Sequence, residues 1–400
     1  MKLKSIYMKN ILVFILLLFV VHNATAQQKS IWMPPQKDSL LVMLDHIYNL
    51  EFSSYKAMQS RYKEDYPRRP EADFVSAIAF WMQMLADIYN PKYDGVFVDK
   101  LDSLIDKMDV YDDDDPLYPV ARFYIDAAIG FKAIMHISRQ QWFSAALNGR
   151  KAIGSVEEAL QMPTPYIDAR FGTGLYLYFA DIIPGIYPIL KPLFLFYPNG
   201  DKKRGLSDLK NASENGIFSK VVSGYMYAQI LLTRERRYKD AYDVMNILHK
   251  RYPQNPVFIA LLARISTRLG KFSEARNLLD IYSKRVAAHL PYYPKHNLRM
   301  VNFRYANIYN RQNKSAQALP YFEKAMLPLE NKLIDERLVR YKVFAALRSA
   351  YCLERLKRVD EAIDRFNLVL ELKDFNKSHY WAEKHLKKIK GREEKKENKP

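Results

Sequence analysis

The 400-residue chain has one cysteine, thirteen glycines and eight histidines, and each shortage closes off a class of function. A single thiol, Cys352, makes no internal disulfide, so the apolar core alone must hold the fold. Within a helical pattern Cys352 reads as a small buried hydrophobe. So few glycines leave no P-loop, no Rossmann pattern and no G-x-S-x-G elbow. Gly172-Thr173-Gly174 lacks the third glycine and follows no strand. The histidines stand singly, as at His46, His136 and His249, and no His-Glu-x-x-His occurs. His379 and His385 are spaced off one helical face. No metal, no cofactor and no enzymatic chemistry are therefore expected. Period-2 alternation between hairpin turns is missing as well, which leaves an all-α fold.

What is present is aromatic and basic. With 49% hydrophobic and 26% charged residues the chain is not disordered over most of its length, and 29 Tyr and 21 Phe point to aromatic helix packing. Lys and Arg number 62 against 44 Asp and Glu, a formal charge of +18. Residues 1–26 carry three lysines, an apolar run from Ile11 to Val21 and a small-residue Ala24-Thr25-Ala26 end. This reads as a cleavable secretory signal peptide, an uncleaved anchor being the alternative. The Ala-Thr-Ala-Gln site resembles those of exported Bacteroidetes proteins, which implies a periplasmic or outer-membrane-facing location. No cysteine stands at the cleavage point, so the chain is not read as a lipoprotein. Export disfavours nucleic acid, and no helix-turn-helix or base-stacking signature supports it.

An internal repeat organises residues 221–375. RYKDAYDVMNILHKRYPQNP (237–256), GKFSEARNLLDIY (270–282), KSAQALPYFEKAM (314–326) and RVDEAIDRFNLVL (358–370) place Ala241, Ala275, Ala318 and Ala362 at one position of a second helix. First-helix positions match too: Ala228, Ala263, Ala306 and Ala350. The pattern resembles tetratricopeptide repeats, in which a small residue in the second helix lets the pair approach closely. The resemblance implies a solenoid of helical hairpins, a superhelix whose concave face, lined by first helices, takes an extended peptide or a partner helix. The first interval has the family's 34 residues; the next two are longer, with HLPYYPKHN filling the first insertion. No unit has the family's Trp, and only the second has a Gly near its turn. Domains follow as a signal peptide (1–26), an N-terminal helical region (27–116), a degenerate repeat with an irregular aromatic helical segment (117–220), the array (221–375) and a basic helix end and tail (376–400). The degenerate repeat places Ala145 and Ala152 as a second helix would.

Between the degenerate repeat and the array lies FGTGLYLYFADIIPGIYPILKPLFLFYPNGDKKRG (171–205), with only Asp181 and Lys191 charged before Pro198. Prolines 184, 188, 192 and 198 exclude one regular transmembrane helix. Three readings stand: a broken helix pair in the core, a hydrophobic groove lined by Tyr176, Phe179, Ile183 and Tyr187, or contact with a membrane surface. This run, ending GDKKRGLSDLKNA, is also similar to the central part of eukaryotic tetratricopeptide proteins linked to inclusion-body clearance.

Aligned on the helix-B alanines, Arg234, Arg268, Arg311 and Arg355 share one position, and Arg264, Asn307 and Tyr351 lie one turn back. A ladder of guanidiniums suits an acidic or carboxylate-bearing peptide partner; equally, a basic residue there complements the helix dipole. Asp112–Asp115 reads as a solvated loop capping the helix that follows, or as oxygen ligands for a cation. The basic end, KHLKKIKGREEKKENK (384–399), reads as a disordered tail, either solubilising or in contact with an anionic envelope surface. The function expected is an exported scaffold for protein–protein interaction. The alternative is a hydrophobic-ligand or membrane-surface protein using segment 171–198.

Overall fold

The computed structural model describes residues 33–139, 167–186, 188, 191, 198–328 and 335–397. The leader, Ala145, Ala152 and Tyr187 lie outside them. Among the described residues every regular element is helical: α1 (Lys37–Tyr48), α2 (Phe52–Asp65), α3 (Glu71–Ala86), α4 (Asp94–Met108), α5 (Tyr118–Ser138), α6 (Ala169–Ile186), α7 (Lys202–Asn215), α8 (Lys220–Ile230), α9 (Tyr238–Arg251), α10 (Pro256–Arg268), α11 (Phe272–Ala287), α12 (Leu298–Arg311), α13 (Ser315–Met326), α14 (Glu336–Arg355), α15 (Val359–Glu371) and α16 (Ser378–Glu397). The chain forms two compact units, one of residues up to Leu85 plus Pro91–Phe258, the other of Ala86–Asn90 plus Ile259–Pro400. No described helix is long and apolar enough to cross a membrane.

In the first unit aromatic side chains do much of the packing. Trp81 of α3 meets Phe97 of α4 at 5.9 Å and Phe131 of α5 edge-on at 5.7 Å. The 171–198 segment begins as α6, buried without a break from Phe171 to Ala180, and Pro184 stands in its last turn. Tyr176, Phe179 and Ile183 are all buried, which leaves the described part of the groove reading with side chains in the core. The glycines of this stretch serve a close crossing of backbones. A Cβ on Gly205 would come within 2.5 Å of the Tyr178 amide nitrogen, and one on Gly174 within 3.0 Å of the Gly205 carbonyl. Asp201 caps α7 by accepting from the Arg204 amide at 2.9 Å, which starts the helix where the crossing needs it.

Asp168, just before α6, holds the turn that starts α8. Its Oδ1 accepts from the amides of Ile217, Phe218 and Ser219 at 2.7–2.9 Å and from the Ser219 hydroxyl at 2.7 Å. Its Oδ2 is buried without a hydrogen-bond partner. Burial pushes the carboxyl pKa up, and the bonds from Ser219, Phe218 and Ile217 pull it partly back.

In the second unit the repeat register is kept in the backbone as well as in the alanines. Ala275, Ala318 and Ala362 are fully buried, each the fourth residue of its helix. The turn between helix A and helix B carries a left-handed residue five places before the alanine each time: Gly270, Asn313 and Lys357. One residue on, Lys271, Lys314 and Arg358 donate backbone N–H groups to the carbonyls of Ser266, Tyr309 and Leu353, a Schellman closure that satisfies the end of helix A. The left-handed site therefore accepts Asn and Lys, which is why a search for glycine finds only one unit. In the first unit the same turn around Ala241 has Arg236 left-handed, but Arg237 reaches back one residue further, to Leu231, across a π-helical turn, Leu231–Glu235. That turn absorbs one extra residue.

The insertion HLPYYPKHN is a clamp on Ala86–Asn90. His296 Nε2 lies 2.6 Å from Asp87, Asn297 donates to the Ala86 carbonyl at 3.2 Å, and Tyr282 bonds Asn297 at 2.8 Å. Arg337 donates to the Ile88 carbonyl at 2.5 Å and lies over the Tyr89 ring. The basic end differs from the disordered tail expected of it: residues 378–397 form one helix. Ala382 and Ile389 are buried against the core shared with α14 and α15, and Glu354 gathers His385, Lys388 and Arg392 at 2.8, 3.8 and 3.2 Å. The composition of the segment hid the apolar spacing that docks it.

Two outcomes follow. Gly205→Ala should cost about 2 kcal/mol or more by urea unfolding, since backbone must shift, whereas Gly95→Ala, with open space around it, should cost nothing. Asp168 binds its proton more tightly folded than unfolded, so its ionisation subtracts stability as pH rises from the ordinary carboxyl range to its raised pKa. Asp168→Asn should flatten that limb and stay within about 1 kcal/mol at neutral pH, while Asp168→Ala, orphaning three amides, should lose about 3 kcal/mol or more.

Candidate functional site

The helix-A face of the second unit is built from α10, α12 and α14. Arg264 and Arg268 are exposed on α10, Arg311 is exposed at the end of α12, and Asn307 and Tyr351 are half-buried on α12 and α14. Arg234 belongs to the first unit, in the π turn beside the Tyr178–Glu235 hydrogen bond. The four-membered ladder thus divides between units. Within the second unit Arg355 is spent on structure. Its Nε donates to Ser315 Oγ at 3.0 Å, and its Nη2 donates to Asn310 and to Cys352 Sγ, tying the end of α12 to the start of α13. Cys352 is fully buried, as its helical setting led one to expect.

The residue that the repeat alignment passed over is Arg348. It donates to Asn307 Oδ1, and its guanidinium lies 5.1 Å from the Phe303 ring. Burial first, and then the positive charges of Arg268 and Arg311, pull its pKa below the ordinary arginine value. Arg268, Arg311 and Arg348 therefore share one field, and among the described residues none of the three is paired with a carboxylate. Arg304 on α12 stands seven residues before Arg311, as Arg348 stands before Arg355, and donates to the Ala260 carbonyl. That two-turn spacing is the sequence signal of Arg304 and Arg348, one turn beyond the positions of Asn307 and Tyr351.

A cluster of like charges with an aromatic floor and no counter-charge costs stability when empty and gains it when an anion enters. Guanidiniums favour a planar acceptor such as a carboxylate, which each can hold through two parallel bonds. The acidic run 112–115 is arranged otherwise. Asp115 caps the turn by accepting from the Leu117 amide at 2.8 Å and pairs with Arg68 at 2.5 Å.

Arg268→Gln should raise the melting temperature by about 1–3 °C by relieving the repulsion. Added sulfate should raise it more in the parent protein than in the variant. A variant that melts lower in chloride would speak against an empty cationic cluster.

No protein-family model matches the chain, and no curated protein matches it in sequence. Among solved structures the chain is similar to yeast Tom70, at 14% identity over 87% of each chain, with a TM-score of 0.29. The architecture is read from the chain's own packing: among the described residues it is all-α, of tetratricopeptide-like helical hairpins.

Proposed function

We propose that the second unit is a binding scaffold for an extended, acidic segment of a partner protein, held along the helix-A face of α10, α12 and α14. The observation that carries this reading is the trio Arg268, Arg311 and Arg348, close enough for two exposed guanidiniums to act on the half-buried third and lacking a carboxylate partner among the described residues. Arg264 and Tyr351 flank the trio along the same helices, and Asn307 orients Arg348. The partner supplies the missing negative charge. Its side-chain carboxylates, or its C-terminal one, fix register, while Phe303 and Tyr351 offer apolar contact. We read this activity as lying outside the cytoplasm, in the periplasm or at the outer membrane, with the basic C-terminal helix turned to an anionic envelope surface; the signal-peptide pattern of residues 1–26 is what supports that reading. Chemistry on the bound segment is not part of this reading.

Fluorescence polarisation with a labelled acidic peptide, its C-terminal amide and a neutral peptide of equal length tests the scaffold. The acidic peptide should bind tightest, and its affinity should fall with salt. Arg268→Ala together with Arg311→Ala should weaken it by at least about tenfold, two lost charge-assisted bonds, with a melting temperature no lower than that of the parent, since the same substitutions relieve the repulsion on Arg348. Equal affinity of parent and double variant would sink the arginine face.

A further inference from the structure

Helix α16 docks through Ala382 and Ile389 and turns a different surface outward. Tyr380 and Trp381 are 50% and 40% exposed, their ring centroids 5.2 Å apart in an edge-to-face pair. Two lysines cover the rings: Lys377 Nζ is 6.0 Å from the centre of Tyr380, and Lys384 Nζ is 6.0 Å from Tyr380 and 5.3 Å from Trp381. Within the helix, Tyr380 and Trp381 stand four and three residues before Lys384, the spacing of one face, and Lys377, left-handed in the turn just before the helix, reaches the Tyr380 ring from the other end. Asp374 and Glu354 are used elsewhere, and Glu383, exposed on the same helix, makes no ion pair with either lysine among the described residues. Asp374 accepts from the Ser378 hydroxyl and the His379 amide, and Glu354 is taken by His385, Lys388 and Arg392. Among the described residues Lys377 and Lys384 have no acidic partner.

The chemistry of the stripe specifies its occupant. Trp and Tyr settle where an apolar ring meets a layer of polar headgroups, with the indole N–H or phenol reaching water or phosphate. Lysines bend their apolar stems along such rings and set their ammonium groups among anionic headgroups. An edge-to-face pair with a cation over each ring leaves no open parallel faces for stacked bases, which favours lipid over a single-stranded nucleic acid.

We propose that the Lys377–Tyr380–Trp381–Lys384 stripe is a docking surface for an anionic phospholipid headgroup layer, on which α16 lies flat. This deepens the envelope placement proposed above and is separate from the arginine face. The insertion depth is that of one indole and one phenol ring, so the contact is peripheral and reversible, and strengthened by negative lipid.

The test uses the purified mature chain with phosphatidylcholine vesicles, with and without phosphatidylglycerol, in flotation assays, and with brominated acyl chains that quench nearby tryptophan. Binding should require phosphatidylglycerol and fall with salt, and the quenched fraction should vanish in Trp381→Phe. Lys377→Glu with Lys384→Glu should lower partitioning by at least about tenfold, each charge near the surface counting for about 1 kcal/mol, at unchanged melting temperature and helix content. Equal binding to neutral vesicles, or partitioning indifferent to those substitutions, would overturn the proposal. So would binding of an acidic oligonucleotide or oligoglutamate that matches or exceeds that of the vesicles, with no quenching by brominated lipid. Export is read separately, from processing of the leader in cells, so the stripe can fail while the compartment stands, and the reverse.

Discussion

A methyl group at a helix crossing is the constraint on which the repeat depends. Ala275, Ala318 and Ala362 are fully buried, so a larger side chain there would have to find room inside a packed interior, and aromatic side chains close by add to the same core. Phe322 and Phe366, both fully buried, hold the place four residues beyond the alanine in their hairpins. The small residue sets how closely the helices approach, and the large one makes that approach favourable by removing apolar surface from water. The left-handed turn residue completes the device: it reverses the chain at a fixed distance from the crossing, so a change of one residue in the turn would rotate helix B off its alanine. The π turn at Leu231–Glu235 shows the same constraint met with an extra residue, bulged into helix A so that Ala241 stays in place.

The alanine register could be read from sequence because it is periodic and because few other residue types fit. The helical class of the described residues and the buried thiol at position 352 were legible for similar reasons, each following from a local steric or hydrogen-bonding rule. Other features were not legible, for identifiable physical causes. The left-handed positions escaped because Asn313 and Lys357 tolerate positive φ without announcing it as glycine does. The last helix was hidden by its charge: Ala382 and Ile389 are too sparse among the lysines to register as an apolar face, yet they suffice once Glu354 draws His385, Lys388 and Arg392 to the same side. The glycines of segment 171–205 looked like punctuation and instead allow two helices to touch backbone to backbone.

The arginine face was half visible. Position along a repeat identifies which residues are equivalent, but not which are already spent. Arg355 and Arg311 occupy the same place in their hairpins, yet Arg355 is consumed by Asn310, Ser315 and Cys352, whereas Arg311 remains in the field of Arg348. A half-buried cation facing other cations is a local conflict with stability. Proteins keep such conflicts where a ligand resolves them.

The clamp on Ala86–Asn90 has a consequence for how the chain reaches its fold. Its hydrogen bonds join residues separated by 209, 211 and 249 positions, so the second unit is assembled from two stretches made far apart in time. A chain emerging from its N-terminus holds the short stretch idle until some two hundred further residues have appeared, and the entropy of closing so long a loop falls on a handful of side chains. The C-terminal hairpins are able to condense on their own local contacts before this, leaving the docking of His296, Asn297 and Arg337 as the late step that gives the second unit its last segment.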